Sequence, residues 1–325
     1  MRVGLTYDLR TGAHNDSEAE YDAPETIDAL SQAISALGHE VVRIGGLAAL
    51  LAALVGGKRW DLVFNIAEGR GGFGREAQVP AVLDAYALPY TFSDPLTLSI
   101  ALHKGMAKRL VRDSGVATAD FAVVEELSSL EALELPFPLF VKPVAEGSGI
   151  GVSDRGRVAN RTALHQAVQA LLERHRQPVL VERYLGGREY TVGVLGTGGS
   201  SRAIGTLAVE SLGGATGVLP AYGLEEKERY EQHVRYRLVE GVEARPIEAL
   251  AIAAHRTLGC RDLSRVDVRC DDAQTPHFLE INPLPGLHPV RSDIVILARA
   301  RGITYDGLIA AVVEETLRRP NAYAV

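Results

Sequence analysis

The chain has 325 residues, 46% hydrophobic and 23% charged, and its 34 Lys plus Arg against 41 Asp plus Glu give a formal charge of −7. That is globular composition, long enough for two or three domains, and so acidic a balance without a basic tract excludes nucleic-acid or anionic-membrane partners. The longest apolar run, Leu47 to Val55, is too short to span a bilayer, and no apolar signal core opens the chain, so a soluble, cytoplasmic protein is expected.

Arg2 to Tyr7 reads as a strand, and Asp22-Ala-Pro-Glu25 as a capping box with Pro in the first helical turn. Ile27, Leu30, Ile34 and Leu37 then form one helical stripe that Gly38 ends. Glu40 to Ile44 and Asp61 to Ile66 are further strands with a helix between them, an alternation that predicts a parallel sheet covered by helices. A boundary is expected near Ser93-Asp94-Pro95. Beyond it come a helix around Leu98 to Ser114, an extended Phe121 to Val124 and a strand from Leu139 to Lys142. A helix over Thr162 to Arg174 and a strand from Val179 to Glu182 follow, and Ile247, Leu250, Ala251, Ala254 and Leu258 make a late helical stripe. The fold class is α/β to α+β, in three segments of residues 1–94, 95–184 and 185–325.

Ser264 to Cys270 alternates, with Val266 and Val268 on one face and Arg265, Asp267 and Arg269 on the other. Asp271 to Pro276 is a turn, and His277 to Asn282 alternates again, with Leu279 and Ile281 opposite Glu280 and Asn282. If the two strands pair, Arg265, Asp267, Glu280 and Asn282 converge. Two carboxylates, an amide oxygen and a guanidinium suit Mg²⁺ and phosphate oxygens; a solvated sheet face with an Arg–Asp ion pair is the plainer reading. The following Pro-Leu-Pro-Gly286 turn can offer N–H groups to an anion. His288 beside it reads as a turn-capping histidine or a substrate contact.

Lys142 leads into Pro-Val-Ala-Glu-Gly-Ser-Gly-Ile-Gly151, a loop able to lay N–H groups on a polyphosphate while the lysine supplies charge. The chain has 29 Arg and only five Lys (58, 104, 108, 142 and 227), so a retained Lys hints at a site wanting a compact charge. A rival motif is Gly69-Arg-Gly-Gly-Phe-Gly74 with Asp94 twenty residues on, the pattern of a nicotinamide-dependent oxidoreductase. It follows at least two earlier strands instead of the first, and Asp94-Pro95 reads as a turn.

Together these pieces resemble the ATP-grasp superfamily and, within it, the D-alanine–D-alanine ligase family, from about Asp61 to the C-terminus. The resemblance implies a Rossmann-like N-terminal domain followed by two α+β subdomains that grip ATP. The segments of Lys104 with Lys108, and of Lys142 through Glu146 and Ser148, are similar to the two that hold the α- and β-phosphates. Val181 to Thr191 is similar to the adenosine hinge, which implies adenine at Glu182 and the Leu185 backbone and ribose at Glu189. The implied metal face is Asp267, Glu280 and Asn282, holding two Mg²⁺, or Mn²⁺ in their place. Arg265 and the Gly286 N–H would stabilise an oxyanion, Lys227 matches a mobile loop over the γ-phosphate, and Ser148 would orient substrate. The implied reaction activates a carboxylate as an acyl phosphate, which an amine attacks to give an amide, ADP and phosphate. Amino-acid-like substrates, a homodimer and a role in cell-wall peptidoglycan synthesis come with it.

The departures lie on the substrate side. The family's N-terminal glycine-rich motif is absent, and Glu18, Glu20, Asp22 or Glu25 would have to bind the substrate amine, with helix capping as the other reading of Asp22 and Glu25. Glu68 stands where the family commonly has a histidine, and His103 where it has an acid. Arg291 or Ser292 replaces the Ser-rich run that reads the second substrate's carboxylate. A ligase for other amino acids, or a nucleotide-binding homologue without ligase activity, remain as alternatives.

Overall fold

The computed structural model describes residues 1–10, 20–145, 156–211 and 234–319. Strands β1 (Arg2–Tyr7), β2 (Glu40–Gly45) and β3 (Leu62–Ile66) form a parallel sheet in the order β2-β1-β3. Helices α1 (Pro24–Ala36) and α2 (Leu47–Val55) make the crossovers, and α3 (Gln78–Ala85) follows β3. The α1 stripe of Ile27, Leu30 and Ile34 is buried, whereas Leu37 lies beyond the helix and is exposed.

The capping box does not form. Ala23 is the N-cap and no side chain caps the helix, because Asp22 is held one position earlier in an extended pairing with Leu9, its N–H donating to Asp8 O. The single helix expected over Leu98 to Ser114 is two, α4 (Pro95–Leu102) and α5 (Lys104–Asp113), broken at His103. His103 caps α5 by accepting the Met106 N–H on Nδ1 at 3.2 Å. Burial, the largest influence on it, keeps this imidazole below its ordinary pKa and so favours the neutral acceptor form. The break places Lys104 at the first position of α5, its N–H bonded to Val144 O.

A four-stranded antiparallel sheet follows, from β4 (Phe121–Val124), β5 (Leu139–Pro143), β6 (Arg157–Val158) and β7 (Val179–Arg183), in the order β4-β7-β5-β6. Val141, Val179 and Val181 bury one face of it against Leu164 and Val168 of α6 (Arg161–His175). A five-stranded antiparallel sheet is built from β8 (Glu189–Leu195), β9 (Arg202–Ser211), β10 (Val234–Val239), β11 (Leu263–Cys270) and β12 (Pro276–Asn282), in the order β10-β9-β8-β11-β12. Val266, Val268 and Phe278 face Ile247, Ala251 and Ala254 of α7 (Ala244–Thr257). Helix α8 (Asp293–Ala300) follows, and α9 (Tyr305–Arg318) returns to pack Leu308, Ile309 and Val312 in one core with Ile27, Leu30 and Ile34 of α1. Among the described residues no helix is long and apolar enough to cross a membrane.

Candidate active site

The β11–β12 hairpin pairs Arg265 with Asn282 and Asp267 with Glu280, so the four polar residues share one sheet face as their alternation requires. The apolar face departs from expectation. Val268 pairs with Phe278, which makes Leu279 the extra residue of a β-bulge. Phe278 is buried in its place and Leu279 is only partly covered. The outer side of β12 explains the shift: Phe278 N–H donates to Ala117 O, and Phe278 O accepts from Thr118 Oγ1 at 2.8 Å and Lys108 Nζ at 3.2 Å.

The carboxylates of this hairpin meet lysines delivered by α5 and β5. Glu280 Oε2 lies 3.5 Å from Lys104 Nζ and 3.7 Å from Lys142 Nζ. Lys142 Nζ reaches Glu182 Oε1 at 3.0 Å, and Lys108 Nζ reaches Glu182 Oε2 at 2.8 Å. Three ammoniums and two carboxylates thus alternate from Lys108 through Glu182, Lys142 and Glu280 to Lys104. Burial opposes charge on Glu182 and Glu280, yet the flanking lysines overcome it and hold both carboxyls below their ordinary range. Burial likewise opposes charge on Lys142, and Glu182 and Glu280 hold its ammonium above the ordinary value.

Arg265 is gripped from two sides. Its Nη2 donates to Asp267 Oδ2 at 2.9 Å and its Nη1 to Asp293 Oδ2 at 3.2 Å. Tyr236 on β10 fixes Asp293 by donating to Oδ1 at 2.6 Å, and Thr191 on β8 donates to Asp267 Oδ1 at 2.7 Å. Burial pushes the Asp267 carboxyl up, with Arg265 pulling the other way and Glu280 adding to the rise. Asn282 Oδ1 accepts the Leu284 N–H at 3.0 Å, which folds the start of the Pro-Leu-Pro-Gly286 turn. Among the described residues no three His, Cys, Asp or Glu side chains converge as a metal cage. Asp267, Glu280 and Asn282 instead present two carboxylates and an amide oxygen, a donor set that fits Mg²⁺ completed by phosphate oxygens and water.

Arg269 organises the hinge between β7 and β8. It donates to Leu185 O at 2.7 Å and to Glu189 Oε2 at 2.9 Å, and its guanidinium lies over the Tyr184 ring. Gly187 is required there, since a Cβ would stand 2.5 Å from Asp271 O.

The side expected to face the substrates, by contrast, is rich in carboxyls. Glu20 pairs with Arg75 at 2.8 Å, and Arg75 also donates to Ala145 O, tying the N-terminal segment to the end of β5. Glu68 and the buried Glu76 make no ion pair or side-chain hydrogen bond among the described residues. Burial raises both, Glu68 far above the ordinary range and Glu76 to about 7, with neighbouring carboxylates adding to it. Burial also lifts Asp22 to about 7, while Glu25 is exposed on the first turn of α1. His288 Nδ1 accepts two N–H groups of its own turn, from Val290 and Arg291, and Ser292 Oγ accepts the His288 N–H at 2.8 Å.

Glu18, Glu146, Ser148 and Lys227 lie outside the described residues. The glycine-rich motif does not cradle a dinucleotide. The next helix starts at Gln78, four residues past Gly74, and Asp94 is spent capping α4 at the Thr97 N–H and pairing with Arg261 at 2.6 Å. Gly69 sits at φ +69°, its N–H on Asp8 and its carbonyl receiving the Tyr21 hydroxyl. The residues that sequence reasoning passed over are Asp293, Tyr236, Glu76 and Arg75, none of which carried a local signal. Lys108 and Arg269 were visible, through the scarcity of lysine and the strand alternation, but not their part in organising the site.

Residues 110–314 match the family model described as D-ala D-ala ligase C-terminus. The uncharacterized protein y4sG of Sinorhizobium fredii is 32% identical over 90% of this chain and 87% of its own length. A D-alanine–D-alanine ligase of the same organism is 31% identical over 88% of this chain and 90% of its own. The crystal structure of a D-alanine–D-alanine ligase from Bacillus anthracis superposes with a TM-score of 0.75 at 22% identity, over 98% of both chains. That likeness establishes the fold as ATP-grasp. The matched residues take in the hinge and the whole β11–β12 hairpin, and on these grounds the chain belongs to the D-alanine–D-alanine ligase family.

Proposed function

We propose that this chain is an ATP-dependent, ADP-forming ligase that joins the carboxylate of one amino-acid-like substrate to the amine of another. The observation that carries the reading is the alternation of Lys104, Lys142 and Lys108 with Glu280 and Glu182, facing Arg265 and Asp267. Lys104 and Lys142 both reach Glu280 Oε2, at 3.5 and 3.7 Å, and the α- and β-phosphates would compete with that carboxylate for the two ammoniums. The Leu185 main chain would meet adenine, as would Glu182 with lone pairs left over from its lysine contacts. Glu189, aimed by Arg269, would take the ribose hydroxyls. Asp267, Glu280 and Asn282 would hold Mg²⁺ or Mn²⁺, two ions on the family's pattern, whose chemistry is to neutralise the triphosphate.

The substrate carboxylate would be phosphorylated and then attacked by the amine. Arg265 and the Gly286 N–H would stabilise the tetrahedral oxyanion, a role worth about 3–4 kcal/mol per donor in other acyl transfers. Lys227 would close over the γ-phosphate and Ser148 would orient substrate. Glu68, backed by Glu76, would hold the first substrate's ammonium, while Arg291 and Ser292, with His288 fixing their turn, would read the second substrate's carboxylate. A cytoplasmic homodimer divided at residues 94 and 184 belongs to the same reading, on the family resemblance alone.

D-alanine on both sides, serving peptidoglycan synthesis, is the first substrate assignment. A different amino-acid pair is the second, favoured by Glu68 and by Sinorhizobium fredii carrying both y4sG and a D-alanine–D-alanine ligase as relatives of this chain. Mg-ATP-dependent phosphate release against single and paired D- and L-amino acids, with products read by mass spectrometry, decides between them. A D-alanine dipeptide supports the first; turnover only with another pair supports the second. No release with any pair, although Mg-ATP binds, contradicts both.

A further inference from the structure

Lys108 lies one turn beyond Lys104 on α5, and its side chain is 0% exposed. An ammonium has three N–H donors, and three acceptors surround this one: Glu182 Oε2 at 2.8 Å, Thr118 Oγ1 at 2.7 Å and Phe278 O at 3.2 Å. The rings of Phe121 and Phe278 flank the same nitrogen at 5.8 and 6.0 Å. Enclosed by these three acceptors and with no exposed surface, Lys108 cannot grip a phosphate beside Lys104.

Its contacts reach the elements that carry the site. Glu182 is on β7 and shares its other oxygen with Lys142, and Phe278 opens the β12 bulge two residues before Glu280. Were Glu182 buried against Lys142 alone, the two would collapse into a closed pair, because an uncompensated carboxylate in that position is costly. A second ammonium shares the Glu182 charge and leaves Lys142 within reach of Glu280 and of an incoming anion.

We propose that Lys108 is a positioning residue for nucleotide binding, which acts by holding Glu182 so that Lys142 stays available to the phosphates. The inference rests on the nucleotide reading above. It differs from a purely structural role, in which Lys108 merely fastens α5 to β12 and its loss is felt whatever stands at position 182.

The test is a double-mutant cycle on Mg-ATP affinity, by calorimetric titration of the wild type, Lys108→Met, Glu182→Gln and the double variant, each with its melting curve. Lys108→Met is expected to weaken Mg-ATP about tenfold or more, whereas in the Glu182→Gln background it costs less than about threefold. An unchanged affinity in Lys108→Met, or an equal loss in both backgrounds, overturns the proposal. If Lys108→Met alone does not fold, the neutral double variant carries the test. Folding with affinity within about threefold of Glu182→Gln supports the proposal, and a double variant that is unfolded, or folded without binding, overturns it. A wild type that does not bind Mg-ATP overturns the nucleotide reading itself and the proposal with it, whereas the other failures leave that reading standing.

Discussion

The two ends of the site handle charge in opposite ways. Glu280 and Glu182 each touch two lysines, within 2.8 to 3.7 Å, and both carboxyls are driven toward full ionisation. Around Glu68 and Glu76 carboxyls crowd one another, Arg75 is engaged with Glu20, and burial drives them toward protonation. A site for a polyphosphate needs cations, and between turnovers it must neutralise them with groups that leave easily. A site for an ammonium needs carboxylates, and without the ligand those remain under-compensated. Under the same burial the Glu182–Glu280 pair and the Glu68–Glu76 pair therefore shift in opposite directions, decided by whether the neighbours are lysines or further acids.

The sharpest way to break this comparison is to remove the shared cation. Lys142→Ala deletes the ammonium between Glu182 and Glu280, and Mg-ATP-dependent phosphate release should fall about 100- to 1,000-fold. A loss under about tenfold would mean that Lys142 is a structural pair and no phosphate ligand. Asp293→Asn comes next. If Asp267 holds a metal as proposed, Asp293 would be the carboxylate left to hold Arg265, so kcat should drop about tenfold with Mg-ATP affinity unchanged, and Tyr236→Phe should act more weakly in the same direction. A change in nucleotide affinity instead would place Asp293 at the wrong end of the site.

A third prediction concerns pH. Glu76 and Asp22 titrate near 7 in the folded chain, against ordinary values of 4.5 and 3.8. Glu20, Arg75 and Lys104 surround Glu76, and Thr26, Arg10 and Asp8 surround Asp22. Between about pH 4 and 7 these two groups bind more protons in the folded state than in the unfolded one, so the stability they contribute should fall as pH rises through that window and level off above it, against the opposite contribution of His255, which burial lowers to about 4. In melting curves from pH 5 to 8, Glu76→Gln should gain on wild type as pH rises and melt higher at pH 8. A slope identical to wild type would remove Glu76 from the cluster. The smallest effect expected is at the helix break: His103→Ala loses the α5 cap and should cost about 1 kcal/mol, a melting shift of roughly 2 °C.

What the sequence made legible were features whose causes lie close along the chain. The period-2 alternation on either side of the Asp271 turn is a local pattern, and it placed Arg265, Asp267, Glu280 and Asn282 on one face. The β1–β2–β3 sheet was readable for the same reason, with strand and helix signals in short succession. The bulge at Leu279 was not, because the groups that bind the Phe278 main chain, Ala117, Thr118 and Lys108, lie 160 residues or more away along the chain. Asp293 looks like an ordinary first-turn acid of α8, and only the fold brings it to Arg265. The break at His103 was hidden because the apolar pattern runs on through it, and imidazole is an unusual cap. The false capping box at Asp22 is the converse case, a good local signal overridden when Asp22 is drawn into pairing with Leu9.

The central claim is that this site makes an acyl phosphate, and the position of one oxygen atom tests it. With the acid substrate labelled by ¹⁸O in its carboxylate, attack by the amine must expel phosphate carrying one labelled oxygen, with ADP as the nucleotide product. Mass spectrometry of the released phosphate should show that single label at the rate of amide formation, and Lys142→Ala should abolish it. Unlabelled phosphate, or label appearing in AMP with release of pyrophosphate, would contradict the account.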